Sequence, residues 1–360
     1  MSSDPLIELR CRIDQIDQEL LTLLRQRAET SQAVGALKAS EGRQVYDPQR
    51  EAQLLAKLTA GDLTPLNASA IEGIYREILS ASRSLQRVPV IAFLGPEHTF
   101  SHQAAKKHFG SRCHFDPQST IEDVFSAVER GSVDLGIVPI ENTIQGVETR
   151  TLDAFVNSPL LIEAEAWVDV HICLLTRGDM SQIKRVLSHP QPLAQCRQWL
   201  HHNLPEAQLI PVASTAAAAA AVAAANDPTQ AALATADAAV FNMLPIIAEN
   251  IEDRSNNRTR FFVIGKNETG PTGRDKTSLL FTTKHRSGAL AAALVPLSAH
   301  QISLTLIQSR PAPSRLEGPY IFYVDFEGHQ TEPMVKAAID GLREQCQTLK
   351  VLGSYPTASG

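Results

Sequence analysis

RSLQRVPVIAFLG, residues 83–95, is where this chain changes character. Upstream of it, apolar residues recur at helical spacing: Leu9, Ile13, Ile16, Leu20, Leu24, Val34 and Leu37, then Ile71, Ile74, Ile78 and Leu85. Glu41-Gly42 breaks the first run. Asp47-Pro48 suits a helix start, since Asp caps and Pro fits the first turn. Gly61, Pro65 and Asn67 separate a second helix from a third, so residues 5–87 are expected to be helical throughout. Downstream of Val88-Pro89, short apolar runs alternate with helical ones: VIAFLG (90–95), VDLGIVPI (133–140), HICLLT (171–176), KRVLSH (184–189), AQLIPVA (207–213), QAALAT (230–235) and RFFVIG (260–265). That alternation predicts an α/β domain with largely parallel strands, whose ligand lies beyond the strands' carboxyl ends. Polar clusters sit there: Glu141-Asn142-Thr143 and Ser188-His189-Pro190-Gln191. GKNETGPTGRDK (265–276) is a linker by composition. The order strand, helix, strand, strand, helix, strand then predicts a small ferredoxin-like α+β sandwich.

Bulk numbers narrow the function. A chain of 360 residues implies two or three domains, and 43% apolar residues are enough for real cores. A net charge of −6 argues against a nucleic-acid binder, though it permits a local basic pocket. Cys11, Cys113, Cys173, Cys196 and Cys346 are scattered singly, which suits a reducing cytosol and offers neither a disulfide framework nor a zinc site. The start, MSSDPLIELR, does not read as a signal peptide, and no window reaches the ~18 apolar residues of a membrane helix. A cytoplasmic location is expected, with no membrane partner. His98 and His102 lie four apart, as helical metal ligands can, but no third ligand is in view, so no metal is expected. No cofactor is implied.

NNRTRFFVIG (256–265) crowds hydrogen-bonding groups at the mouth of a buried strand. Either this is a solvated turn, or Thr259 and Arg260 face an anionic small molecule. In the helical part, Arg27 and Lys38 fall roughly 20° apart around one helix and about 16 Å apart along it, so they can clasp a small ligand. Arg10 lies about 25 Å along the axis from Arg27 on another face. It could reach the same ligand only from a second, antiparallel copy. The bland alternative is a solvated basic face.

LRCRIDQIDQELLTLLRQRAETSQAVGALK, DPQRE and SRSLQ resemble the all-helical chorismate mutase domain that opens bifunctional chorismate mutase–prephenate dehydratases. The resemblance implies Arg10 (from a partner subunit), Arg27, Lys38, Asp47, Arg50, Glu51, Ser82 and Gln86 as site residues. The residue types fit the chemistry. Chorismate carries two carboxylates and rearranges within itself while negative charge grows on its ether oxygen. Arginines bind carboxylates bidentately, Lys38 and Gln86 would donate to the ether oxygen, and Glu51 would accept from the substrate hydroxyl.

VIAFLGPEHTFSHQAA, VPIENTIQG, SHPQPLAQC and RTRFFVIG, in that order, are similar to prephenate dehydratase. This implies two α/β lobes, as in periplasmic binding proteins, with prephenate in the cleft. It assigns catalytic roles to Asn142, Ser188, Gln195 and Thr259, with Arg260 as a carboxylate partner. Ser188 and Asn142 also read as plain turn residues at strand ends. The family usually has glycine where His98 stands, and is more glycine-rich than ATADAA (234–239). KTSLLF, GALAAAL, QSRP and LKVLGSYP resemble the ACT regulatory domain that binds L-phenylalanine. That implies Gly288, Ala289, Leu290, Ser309, Arg310 and Pro311 as effector residues, although Gln308 and Ser303 replace the usual glutamate and asparagine. Three domains are thus expected: 1–87, 88–270 and 275–360. They would form a homodimer or larger assembly converting chorismate through prephenate to phenylpyruvate. The alternatives are a single dehydratase, on prephenate or arogenate, with a helical dimerisation domain, and a two-lobed binding protein with a sensor.

Overall fold

The computed structural model describes residues 4–312 and 317–358. The chain divides into two compact units. One comprises Met1–Asp47, Leu55–Pro89 and Phe109–His114, and the other Pro48–Leu54, Val90–His108 and Phe115–Gly360.

The first unit is helical, as its spacing predicts. Helix α1 runs Pro5–Ser40 and is capped by the Asp4 carboxylate, which accepts from the Leu6 amide at 3.0 Å. It stops where Gly42 takes a positive φ of 68°. Helix α2 spans Pro48–Thr59, of which only Leu55 onward belongs to this unit, and α3 spans Ala68–Gln86 behind an Asn67 cap. No residue of the 36-residue α1 is buried. Leu6, Ile7, Leu9, Ile13, Ile16, Leu20 and Leu23 all stand exposed along it.

The second unit begins with a lobe built from β1 (Val90–Leu94), α4 (Phe100–Phe109), β2 (His114–Gln118), α5 (Ile121–Arg130), β3 (Leu135–Asn142), β4 (Gly146–Val147), α6 (Thr149–Asn157) and β5 (Leu161–Asp169). The chain then crosses to a second lobe: β6 (Cys173–Leu175), β7 (Arg185–Ser188), α7 (Pro190–Gln195), α8 (Arg197–Asn203), β8 (Gln208–Pro211), α9 (Thr215–Ala225), β9 (Gln230–Ala234), α10 (Ala236–Phe241) and β10 (Ile246–Ala248). It returns to the first lobe as β11 (Arg258–Gly265). The two crossings run side by side. The Val170 amide donates to the Asn257 carbonyl at 2.8 Å, and the Ile251 amide to the Ile172 carbonyl at 3.1 Å.

The strands are less uniformly parallel than the alternation suggests. The first sheet has the order β2-β1-β3-β11-β5, with β1 parallel to β3 but β11 antiparallel to both β3 and β5. The second has the order β10-β6-β9-β7-β8, and only β7 runs parallel to its neighbours β8 and β9. The cause is topological. A strand returning from the other lobe enters from the opposite end, so β11 must run against β3. The apolar-run reading also passes over β5, LIEAEAWVD, because it carries three carboxylates; Glu163 and Glu165 are nonetheless buried.

The C-terminal segment folds as β12 (Asp275–Thr283), α11 (Ala289–Ala299), β13 (Leu304–Pro311), β14 (Tyr320–Glu327), α12 (Pro333–Gln345) and β15 (Cys346–Pro356), the element order expected. Its antiparallel sheet, β13-β14-β12-β15, has helix residues Ala293, Leu297, Val335 and Leu342 packed on one side. Its other side shares a core with the first lobe, where Leu280, Tyr323, Leu352 and Tyr355 meet Ile162, Phe262 and Ile264.

Among the described residues no helix is long and apolar enough to cross a membrane. None of their His, Cys, Asp and Glu side chains gather in threes to hold a metal ion. All five cysteines are free thiols.

Candidate active sites

The helical unit contains a cavity of about 390 Å³ lined by Arg27, Ser82, Glu77, Arg112 and apolar side chains of α1 and α3. Arg27 reaches it across the helix pair, its guanidinium donating to the Ser82 hydroxyl. Ser82 donates in turn to the Ile78 carbonyl at 2.8 Å. Gln86, one turn on, anchors its amide nitrogen on the Ser82 carbonyl at 3.3 Å, which leaves its side-chain oxygen buried without a partner. Arg27, Ser82 and Gln86 are therefore brought together. Lys38 donates to the Val45 carbonyl at 3.0 Å, which pins the turn that leads to Asp47. Asp47, Arg50 and Glu51 each make a polar or electrostatic contact. Arg10 is exposed on α1, and within one chain it is not brought to Arg27.

Gly35 was not apparent from sequence spacing. A Cβ there would lie 2.5 Å from the Gln86 Cγ. Gly35→Ala is expected to favour the helix by about 1 kcal/mol while displacing Gln86. The new Cβ would also meet the Gln86 Cβ at 2.9 Å and its Cα at 3.3 Å, so the helices must part. Mutase turnover should fall roughly tenfold through lost orientation, and the melting temperature should fall despite the better helix former; a parental rate and melting temperature would contradict this.

The second unit holds a larger cleft of about 710 Å³ between its lobes. It lies beyond the carboxyl ends of β1, β3, β7 and β8, where such folds bind ligands. Thr259 and Asn142 are paired residues on the neighbouring strands β11 and β3. The Asn142 amide nitrogen donates to the Thr259 hydroxyl oxygen at 2.9 Å and lies 2.8 Å from the Asn257 side-chain oxygen. The Asn142 oxygen accepts from the Ile144 and Gln145 amides at 3.0 and 3.1 Å. That fixes the amide's orientation and makes Thr259 an acceptor toward Asn142, so the threonine hydrogen is left for the cleft. Gln195 lines the opposite wall from α7, and its amide nitrogen is buried without a partner. Such an orphaned donor is costly unless a ligand meets it.

Two sequence expectations require correction. Ser188 is fully buried, donates to the Leu233 carbonyl at 2.8 Å, and does not line the cleft. It serves as a strand-end fastener; the neighbouring His189 lines the cleft instead. Burial lowers the His189 pKa, and its Nδ1 caps α7 by accepting from Gln191. Arg260 also misses the cleft. Its side chain is 2% exposed and its guanidinium faces Glu165, Asp325 and Tyr355 on the other side of the sheet. His98 adopts a positive φ of 64°, the strained option for a residue where the related family carries glycine. Its ring stacks on Phe241 at 4.1 Å and does not face the cleft.

Donors for an anion reach the cleft another way, although Glu141 and Glu148 also line it and the Glu148 carboxylate already accepts from the Arg150 amide at the start of α6 at 3.2 Å. The N-termini of α4, α5, α6 and α9 all open into it, through Phe100-Ser101, Thr120-Ile121, Thr149-Arg150 and Ser214-Thr215. Thr120 and Ser214 each cap their helix through the side chain. Helix N-termini favour anions through aligned dipoles and free N–H groups. Arg150 adds a guanidinium at the rim. The capping pairs Ser119-Thr120 and Ser214-Thr215 were the sequence signal for this cradle.

The residues expected to meet an effector in the C-terminal segment are divided between two elements. Gly288, with φ 75°, caps α11, and the Ala289 amide already donates to the Arg286 carbonyl at 3.3 Å. Leu290 follows in the first turn of α11. Ser309, Arg310 and Pro311 end β13, and Arg310 is paired with Asp153 of α6 at 2.7 Å.

A model of the prephenate dehydratase family matches residues 91–269, and one of type II chorismate mutase matches residues 9–87. A bifunctional chorismate mutase/prephenate dehydratase of Aquifex aeolicus is 44% identical over 99% of both chains. This chain belongs to the bifunctional chorismate mutase/prephenate dehydratase family. As a member it carries both activities in the route to phenylalanine. Among solved structures, a prephenate dehydratase from Arthrobacter aurescens, determined in complex with L-Phe, is 32% identical with a TM-score of 0.69, covering 74% of this chain and 89% of its own. A protein described as a quorum-quenching acylase has the same TM-score of 0.69 at 27% identity, covering 75% of this chain and 98% of its own. One fold thus accompanies two described activities, so chemistry has to be argued from the site.

Proposed function

We propose the following division of labour, carried by the Asn142–Thr259 pair in the cleft and the Arg27–Ser82–Gln86 group in the helical unit. Residues 1–87 form the mutase domain, 88–270 the dehydratase domain and 275–360 an ACT regulatory domain. In the mutase, Arg27 holds a chorismate carboxylate and Ser82 orients Arg27. Lys38 and Gln86 stabilise the ether oxygen as its bond to the ring breaks. Arg50 and Asp47 complete the pocket, and Glu51 takes the substrate hydroxyl. No proton transfer is required, so the site works by holding a compact conformer. In the dehydratase, the helix N-termini and Arg150 hold the dianion. As the ring carboxylate leaves as carbon dioxide, its bonding electrons enter the ring and expel the hydroxyl. Thr259 donates to that departing oxygen, and Asn142 strengthens the donor by bonding to its lone pair. Gln195 supplies a neutral donor from the other lobe. Addition of chorismate, with phenylpyruvate followed directly, tests the pair of activities. Prephenate accumulation without phenylpyruvate would count against the dehydratase assignment.

The exposed apolar face of α1 supports a homodimer. A helix with no buried residue has no reason to persist alone, and an apolar stripe of this length marks an interface. A second copy packed antiparallel along it would deliver its Arg10 to Arg27. The prediction is that Ile13→Asp weakens association. Mutase rate per subunit should then fall on dilution, with mass followed by sedimentation. Undiminished mutase in a monomeric variant would sink the shared site.

The L-Phe in the Arthrobacter structure, together with the position of Gly288–Leu290 at the start of α11 and Ser309–Pro311 at the end of β13, supports an ACT domain that binds L-phenylalanine and restrains the dehydratase. The five free thiols accord with a cytoplasmic setting.

A further inference from the structure

Successive residues of a strand point to opposite faces. Thr259 pairs with Asn142 and faces the cleft, so its neighbour Arg260 emerges on the far side of the sheet. There it meets the C-terminal module. The Arg260 Nε donates to the Glu165 Oε2 at 2.7 Å, its Nη1 to the Asp325 Oδ2 at 2.6 Å, and its Nη2 to the Tyr355 hydroxyl at 3.1 Å. Lys276 donates to both Glu165 oxygens, at 3.1 and 3.2 Å, and the Ala358 amide to Glu165 Oε1 at 3.0 Å. The Tyr355 hydroxyl also bonds Ser278 at 2.6 Å. Glu141 of β3 adds a third, partly exposed carboxylate 4.0 Å from the Arg260 Nη1, so Arg260 and Lys276 face three carboxylates, of which Glu165 and Asp325 are buried. Glu165 lies on β5 and Arg260 on β11, whereas Lys276 and Ser278 lie on β12, Asp325 on β14 and Tyr355 on β15.

A buried ion pair resists stretching, because separating it leaves an unsatisfied charge in a low-dielectric site. The C-terminal sheet cannot shift against β11 without dragging Arg260 or breaking this cluster. Thr259 is the next residue along. We propose that Arg260 is a positioning residue, fixed by Asp325 and Tyr355 of the C-terminal module, through which that module sets the placement of the Thr259 hydroxyl. The regulatory half of this proposal rests on the reading of that module as a phenylalanine sensor.

Tyr355→Phe, made in the full-length chain, removes the hydroxyl's bonds to Arg260 and Ser278, and Asp325→Asn removes the charge that faces Arg260, both at positions outside the cleft lining. Mutase rate on chorismate counts intact chains, since Arg27, Ser82 and Gln86 lie in the first unit, and the melting temperature reports on the folding of the second. Each variant is expected to lower kcat on prephenate about tenfold, with KM within about twofold of the parent. L-phenylalanine should still bind by calorimetry, but its effect on the dehydratase rate should shrink several-fold. Arg260→Lys, which keeps the charge and loses the fork, should recover part of the kcat lost in Arg260→Gln. A lowered melting temperature with kcat and phenylalanine response both at parental values would show the cluster to be structural only, and overturn the proposal. A kcat loss with an intact response would overturn its regulatory half. If the parent itself ignores L-phenylalanine, the sensor reading fails separately, and the kcat and KM comparison alone decides the role of Arg260.

Discussion

Arg27→Ala should lower mutase turnover by about 10²–10³-fold and leave dehydratase activity on added prephenate intact. The substitution removes the guanidinium that reaches from α1 to Ser82. It deprives the cavity of about 390 Å³ of one of its two guanidiniums while Glu77 stays. Binding and the reactive conformer both suffer, so kcat and KM should change together. Coupled assays hide this separation, so each step has to be measured on its own substrate. Loss of both activities would mean that the substitution unfolds the chain. Retention of both would mean that chorismate binds elsewhere.

Thr259→Val should give the mirror image. Valine preserves the β-branched shape on β11 and deletes only the hydroxyl, so the fold should tolerate it. Dehydratase kcat should fall about 10²–10³-fold, the usual cost of one preorganised donor at a developing charge. Asn142 would also lose an acceptor, at a cost of about 1–3 kcal/mol if nothing replaces it. Prephenate should then accumulate from chorismate at the parental mutase rate. Mixing the two variants offers a sharper reading. If phenylpyruvate formation from chorismate returns, prephenate crosses between molecules through solvent. If the mixture stays inactive although each variant keeps its own half-reaction, the intermediate does not travel freely.

Much of this is legible in the sequence itself. The helical segment and its breaks follow from apolar spacing and from Gly42, Asp47-Pro48 and Asn67, because local chemistry decides helix ends. The errors came where the outcome depends on distant strands. The resemblance places both Thr259 and Arg260 at the ligand, although adjacent strand residues cannot share a face; the period-two rule alone removes Arg260. β5 was passed over because Glu163 and Glu165 look unfit for a buried strand. Their partners, the Asn267 amide for one and Arg260 with Lys276 for the other, lie about a hundred positions downstream. Ser188 resembled a site residue because it ends a strand beside the cleft, but its hydroxyl turns inward to Leu233. Antiparallel β11 reflects the chain's return from the second lobe, which no local pattern records.

The ring of helix N-termini around the larger cleft has a consequence for how this enzyme tolerates change. Peptide dipoles have no side chain to delete and no proton to lose. Alanine scanning of the cleft should therefore uncover few positions that govern ground-state affinity for prephenate, and that affinity should drift little across the neutral pH range. Dissolved polyanions should compete for the same ground, with inhibition set by their charge and girth more than by their chemical kinship to the substrate. Discrimination between keto and amino side chains must then reside in the handful of fixed neutral groups, which is where a search for altered substrate preference should begin.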